Sequence, residues 1–412
     1  MNIDKYNRLS LINCIVICLI GIWLFPTGCV EPFDPKVMQD TTGILVVDGT
    51  ILDKGTTIKL SRTVIIDDTT RHVHFSPTEV NNAIVQVIDD YNRVIAIAKP
   101  QVINGTATPE YVVDGEIIFN PGTQYALDIQ IGGKHYQSDF VTPVLTPEID
   151  ELTWRDNDGT SIDIMVSTHD PNNEVQYYRW LFEEDWEIRA QIFSEVNYDP
   201  LTYSFVDQSL SGPNNLYYCW ASDKSKTIAL GTTFGLTEAT IKNKLIHNFT
   251  SNNSRYSYLY SILVKQHGLN KEAYMYYENV KKNIEQGSGI FAPQPSELQG
   301  NIQCISHPDE PVIGYIYAAR EVVVRKYIDM ADMKQIYDNK CNDFDKDFEF
   351  RHKSAIVYYY HTPHAFLPPP IPMGIIFCDS YDICLCAPRI CTDCTQQGGT
   401  KNKPYFWPND HQ

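Results

Sequence analysis

Between Gly43 and Val144 the apolar and polar residues alternate in short runs: Ile44–Ile51, Thr57–Val64, Ala83–Ile88, Val94–Ala98, Tyr111–Phe119 and Tyr125–Tyr136. A period of two sends successive side chains to opposite faces of a strand, so each run predicts a half-buried strand. The runs recur every ten to fifteen residues or so, with Gly55, Asn92, Gly115, Gly122 and Gly132-Gly133 between them, a spacing expected of a sandwich. This stretch therefore predicts an immunoglobulin-like β-sandwich over 43–145. Pro143 and Pro147 interrupt the pattern and mark its end.

Beyond the prolines, Ser161–Ser167 and Val175–Phe182 alternate again. From Arg255 to Lys265 the alternation puts Tyr256, Tyr258, Tyr260, Ile262 and Val264 on one face. A helix is expected next, near 270–286. Asn270 is its N-cap, Leu269 and Tyr274 occupy staple positions, Ala273, Tyr277, Val280 and Ile284 form the apolar stripe, and Gly287 is its stop. The stripe Tyr256, Tyr258 and Tyr260 has the composition of a sugar-stacking platform, but a tyrosine-lined sheet face packed on that helix is the favoured expectation. A weaker helical pattern covers Thr237 to His247, Val312 to Ile328 has strand-like composition, and Phe366 to Pro372 is a Pro-rich loop. The fold class is therefore mainly β: an N-terminal immunoglobulin-like β-sandwich followed over 146–412 by a larger β-rich C-terminal domain with inserted helices and a disulfide-rich tail.

The N-terminus has a different character. Lys5 and Arg8 precede an apolar run from Leu9 to Phe25, then Pro26-Thr27-Gly28 and Cys29, the order of a secretory signal. A small residue directly before a cysteine, in a chain that then turns polar, is the pattern of a lipoprotein cleavage box. Residues 1–28 are read as a lipoprotein signal peptide, Cys29 as the lipidated first mature residue and 29–42 as an anchor linker. The mature chain would carry 31 basic and 50 acidic residues, a net of −19, so acyl chains suit its attachment better than anionic headgroups do. The same acidity, with 33 Lys plus Arg against 51 Asp plus Glu in the full chain, excludes a phosphate-tracking surface and nucleic acid as a partner.

Cysteine usage fits export. With Cys14 and Cys18 in the leader and Cys29 lipidated, Cys219, Cys304, Cys341, Cys378, Cys384, Cys386, Cys391 and Cys394 remain, and an even set in an oxidising compartment reads as disulfides whose connectivity stays open. The Cys-rich tail spans 378–394. Cys384-x-Cys386 with Cys391-x-x-Cys394 also has zinc-site spacing, and Cys391-x-x-Cys394 alone has redox-motif spacing, but export favours the disulfide reading.

The strings YYRWLFEEDWE (177–187), LYYCWAS (216–222), residues 260–304 from YSILVKQHG to GNIQC, EPVIGYIYAAR (310–320) and CTDCTQQGGTKNKPYFW (391–407) resemble a family of Bacteroidota exported lipoproteins known only as domain of unknown function 4249. The start of the mature chain, Cys29-Val30-Glu31-Pro32-Phe33, and the run ILVVDGTI (44–51) resemble it too. The resemblance implies an exported lipoprotein with an N-terminal immunoglobulin-like domain, encoded beside TonB-dependent outer-membrane receptors. It brings no catalytic residues, and Ala292 departs from the acidic residue of its motif.

Candidate chemistry is sparse. His72-x-His74 lies in a polar stretch beside Arg71, and Pro363 between His361 and His364 rules out a regular helix placing those two together. Asp343, Asp345 and Asp347 start like a calcium loop, but Phe348 stands where glycine is needed and Ser354 where the bidentate glutamate is needed. Glu183, Glu184, Asp185 and Glu187 bracket Trp186, the kind of acid pairing a glycosidase uses. No catalytic residue, metal site or cofactor is assigned.

The expectation is a non-enzymatic, lipid-anchored outer-membrane protein, on the periplasmic or the cell-surface face, that binds as an accessory of a TonB-dependent transporter or another outer-membrane complex. The interface is expected among the second-domain aromatics Tyr256–Tyr260, Tyr274–Tyr277 and Tyr405–Trp407. The alternatives are a carbohydrate-active or glycan-binding lipoprotein using the acids Glu183–Glu187, and a structural envelope protein. Cys29→Ala should leave the precursor uncleaved or release it from the outer membrane, because each buried acyl CH₂ contributes about 0.8 kcal/mol. Intact-mass measurement of the wild-type N-terminus checks this, and an unlipidated Cys29 would contradict it.

Overall fold

The computed structural model describes residues 43–63, 78–330 apart from 200, 211, 213, 214, 251, 252, 257 and 287–297, then 349–353, 356 and 373–408. The chain is mainly β. The first body begins with β1 (Leu45–Leu52), β2 (Thr57–Arg62), β3 (Thr78–Glu79) and β4 (Ile84–Asp89). It continues with β5 (Val94–Ile103), β6 (Thr106–Val113), β7 (Tyr125–Ile131) and β8 (Lys134–Ser138).

The second body opens with β9 (Ile149–Asp156), β10 (Ser161–His169), β11 (Tyr177–Arg189), β12 (Val196–Asp199) and β13 (Ser204–Asp207). Next come β14 (Tyr218–Lys224), β15 (Ala229–Thr232), β16 (Thr240–Thr250) and β17 (Leu259–Leu269), and helix α1 (Lys271–Gln286). After the helix lie β18 (Ile302–Cys304), β19 (Val312–Ile313), β20 (Ala318–Ala319) and β21 (Glu321–Asp329). The tail holds β22 (Glu349–His352), β23 (Met373–Cys378), β24 (Ile383–Pro388) and the single turn α2 (Arg389–Thr392).

The first sheet runs β18-β8-β7-β4-β5-β6-β2-β1-β19, with β3 on β2 and β20 on β1. Its strands bury Leu45, Val47, Ile58, Leu60, Val85, Val87, Tyr111, Leu127, Ile129 and Tyr136 around one core. Segment 302–319 lies far past the 145/146 division drawn from the sequence, yet it serves both edges of this sheet. β18 pairs antiparallel with β8 (Ile302↔Ser138), while β19 and β20 pair parallel with β1 (Leu45↔Val312, Ile51↔Ala318). One stretch of chain thus covers two edges that would otherwise expose unpaired N–H and C=O groups, and the sheet becomes nearly closed and barrel-like. Asn301 fixes the return: its amide donates to the Ile316 carbonyl and accepts from the Ile316 N–H, both at 2.8 Å.

The second body stacks two sheets. β16-β10-β9 packs on β14-β11-β17-β21, which carries β15 on β11. Ile162, Ile164 and Val166 from one sheet meet Tyr178, Trp180, Phe182, Tyr260, Ile262 and Val264 from the other. The tyrosine-lined face is therefore core between sheets and does not pack on the helix as expected. Tyr256 lies in a 3₁₀ turn ahead of β17, where it is nonetheless fully buried. The helix forms where the sequence places it: Asn270 Oδ1 accepts from the Ala273 N–H at 2.9 Å, and Leu269, Ala273 and Tyr277 share a small core with Leu52, Tyr317 and Ala319.

The helix expected over Thr237 to His247 is instead strand β16, paired along its length with β10 through two register shifts. Those irregularities break the simple alternation that would have revealed a strand. In the tail, the antiparallel sheet β22-β24-β23 and the hairpin β12-β13 surround Tyr198, Ile356, Ile375, Cys384 and Cys386.

Gly300 leaves no space for a side chain, because an added Cβ would sit 2.0 Å from the Gly314 carbonyl oxygen. Gly300→Ala should therefore force apart the return segment that closes the first sheet and cost about 1–3 kcal/mol. Chemical denaturation checks this, and unchanged stability would show that the segment adjusts freely.

Candidate functional site

Four of the five residues from Glu183 to Glu187 are acidic, and they lie on β11, the long strand of the five-stranded sheet. Strand alternation turns Glu184 inward with Phe182 and Trp186, and turns Glu183 and Asp185 to the opposite face. Glu184 is only 2% exposed. Its Oε1 accepts from Arg255 Nε at 3.0 Å and from the Tyr260 hydroxyl at 2.7 Å and is 2.9 Å from His247 Nε2, while Oε2 accepts from Arg255 Nη2 at 3.1 Å. Arg255 also bonds Asp223 at 3.0 Å and lies over the Trp186 ring. Burial alone would raise the Glu184 carboxyl, but His247, Arg255 and Tyr260 outweigh it and hold it below the ordinary glutamate value.

The remaining acids also have partners. Lys265 donates to Glu183 at 2.7 Å, Arg325 to Asp185 at 3.3 Å and Arg189 to Glu187 at 2.6 Å. Trp407 Nε1, from the end of the chain, reaches Glu187 Oε2 at 3.3 Å. Burial raises Glu183, but Lys265 leaves it lowered, whereas for Asp185 burial prevails over Arg325 and leaves it raised.

A second buried network lies under α1. Arg179 stacks 3.9 Å above the Tyr277 ring and reaches the Tyr317 hydroxyl at 3.4 Å. That hydroxyl is 2.6 Å from His267 Nδ1, and His267 Nε2 is 2.9 Å from Glu321. Burial would lower His267, but Tyr317 and Glu321 reverse this and raise it. Burial would raise Tyr317, but the neighbouring His267 and Arg179 bring it down. Beside the helix cap is a cleft of about 520 Å³ lined by Gln124, Asp139, Glu174, Gln176, Lys271 and Tyr315 among others.

The third cluster escaped the sequence reading. At the end of β18 and in the turn that follows it, the Cys304 sulfur, the His307 ring and the Glu310 carboxylate bring their ligand atoms within 4.8 Å of one another. Their Cys304-x-x-His307-x-x-Glu310 spacing is visible in the sequence, but the even cysteine count predicts Cys304 in a disulfide. Instead it keeps its thiol and is buried. Cys386 is likewise a thiol and donates to the Cys384 carbonyl, so the expectation of eight paired cysteines does not hold. Disulfides join Cys219 to Cys394 and Cys378 to Cys384, and Cys391 is also disulfide-bonded. Cys29, Cys341, His72, His74, His361, His364, Asp343, Asp345 and Asp347 lie outside the described residues.

The aromatics expected at an interface divide. Tyr256 and Tyr260 are fully buried and Tyr277 nearly so, whereas Tyr405 is exposed. Large apolar side chains are exposed elsewhere, on the first body, where Ile84, Val94, Ile95 and Ile97 sit on neighbouring strands β4 and β5.

These features define a mainly β protein whose conspicuous acidic strand is neutralised by its own cations. Residues 30–325 match the family described as domain of unknown function (DUF4249), and the chain belongs to that family. No curated protein matches it. Among the described residues, no helix is long and apolar enough to cross a membrane.

With its folded pKa depressed, Glu184 contributes stability fully above its unfolded value near 4.5 and loses it as pH falls through the folded value. Urea unfolding between about pH 3 and 6 should show wild type losing stability on acidification by up to about 1.4 kcal/mol per pH unit more than Glu184→Gln. Parallel pH profiles for the two proteins would contradict the ion-paired assignment.

Proposed function

We propose that this protein acts by binding, as a lipid-anchored component of the outer membrane that accompanies a TonB-dependent transporter or another outer-membrane assembly. The reading rests on the expected leader of residues 1–28 directly ahead of Cys29 and on the surface of the first body. Ile84 and Ile97, each 52% exposed, share the outward face of β4 and β5, because Val85, Val87 and Ala98 point into the core. An apolar patch rimmed by polar residues is characteristic of a protein-binding surface, and tethering partners to one membrane raises their effective concentration. This patch replaces the second-domain aromatics as the proposed interface, since much of that aromatic material is core.

In this reading the N-terminal body is an immunoglobulin-like module that presents the patch. The tail is a disulfide-stapled strap: Cys219–Cys394 ties it to β14, and Trp407 reaches β11. Disulfides of this kind contribute roughly 2–5 kcal/mol in small exported modules.

One observation favours a second reading, a carbohydrate-active protein. Glu183 and Asp185 share one face, about 7 Å apart by strand geometry, and their environments push them in opposite directions, the pattern of an acid and base pair. Lys265 and Arg325 already hold these two acids, which weighs toward binding.

Ile84→Asp and Ile97→Asp should change stability by no more than about 0.5 kcal/mol, as surface substitutions do. Each should cut at least about tenfold the recovery of an outer-membrane partner with the tagged protein in mild detergent. Undiminished recovery would remove the patch from the interface. Polysaccharide cleavage abolished by Glu183→Gln or Asp185→Asn would establish the second reading in its place.

A further inference from the structure

We infer that Cys304, His307 and Glu310 form a binding site for a soft divalent cation of the zinc class. This inference is independent of the partner reading and departs from the sequence expectation of no metal. A thiolate, an imidazole and a carboxylate are the three ligand types that zinc takes from proteins. Here the last residue of β18 and the turn after it carry all three, with their ligand atoms within 4.8 Å of one another. Tetrahedral zinc bonds of 2.0–2.3 Å require ligand separations of roughly 3.3–3.8 Å. The cluster has to contract by about an ångström, and His307, which is exposed, is free to make that movement.

The setting is built rather than incidental. Cys304 is 1% exposed and sits on β18 opposite Tyr136 of β8. The backbone around it is fixed by Ile305 N–H donating to the His135 carbonyl at 2.7 Å and by Glu310 N–H donating to the His307 carbonyl at 2.9 Å. The Tyr136 hydroxyl donates to Glu310 Oε1 at 2.6 Å, the kind of outer-shell bond that orients a ligating carboxylate. Glu310 Oε2 is 3.9 Å from the Cys304 sulfur and faces it. The Ser306 hydroxyl lies 3.5 Å from that sulfur and 3.1 Å from His307 Nδ1, and solvent on the exposed side supplies the fourth position.

A competing cation is already present. The Lys134 ammonium donates to Glu310 Oε2 at 2.6 Å, so its positive charge stands beside the place a metal ion would take. Cation binding therefore has to move this ammonium outward, and Lys134 is the element that tunes affinity. On binding, the Cys304 S–H bond breaks, its proton passes to solvent and the sulfur's electron pair forms the metal–sulfur bond.

The test is cobalt(II) titration of the full mature chain, purified without metal, with the cobalt–thiolate charge-transfer absorption as readout and zinc displacement as confirmation. We expect one equivalent per chain. Cys304→Ser should abolish the absorption, and His307→Ala, a change at an exposed position, should weaken binding at least about tenfold. Lys134→Gln should strengthen it several-fold, an effect that an adventitious histidine or thiol site would not show. The inference is overturned if no thiolate absorption develops, if it survives Cys304→Ser, if Lys134→Gln leaves affinity unchanged, or if peptide mapping finds Cys304 in a disulfide.

Discussion

A carboxylate sealed between two β-sheets must be met by donors from both, and the second body of this protein is organised around one such group. Glu184 sits among Phe182, Trp186 and Tyr260 with almost no solvent contact. His247 approaches it from β16 in the facing sheet, Tyr260 from β17 alongside, and Arg255 from the turn that joins those two strands. Arg255 then reaches Asp223 at the edge strand β14. One ionised side chain thereby fixes how the two sheets face each other. Removing one member of such a group typically costs about 3–5 kcal/mol, because the other charge is left buried and unpaired.

The same strand carries this order outward. Arg179, near its start, is held by Tyr277 of α1 and Tyr317 from the segment that returns to the first sheet. At its far end Arg189 and Trp407 meet Glu187, which draws the end of the chain onto the sheet. Arg179 thus fastens the helix and the return segment to this strand, and Glu187 fastens the tail. The proposed binding surface, by contrast, lies in the first body, where Ile84 and Ile97 remain uncovered.

Local periodicity made β1, β2, β4, β5, β7 and helix α1 legible, down to the Asn270 cap, because those elements are specified by residues near one another in the chain, but it set the run Tyr111–Phe119 where β6 already ends at Val113 and joined β7 and β8 in one run. It failed where pairing partners are distant. Nothing in residues 302–319 announces that they close a sheet begun at Leu45, and the register shifts of β16 erased its alternation. The acidic run was visible but its role was not, since Glu184 draws His247 and Arg255 from more than sixty positions away. The same distance hides the state of Cys304: cysteine parity gives a compartment, whereas the choice between disulfide and thiol depends on which sulfur lies within reach in the fold.

The central claim, that the acids of β11 hold the fold together, is tested most directly by a double-mutant cycle on Glu184 and Arg255. Stability would be measured by urea unfolding for wild type, Glu184→Gln, Arg255→Met and the double variant. The account predicts a coupling of about 2–3 kcal/mol, with the double variant less damaged than the sum of the single ones. Effects that add to within about 0.5 kcal/mol would contradict it.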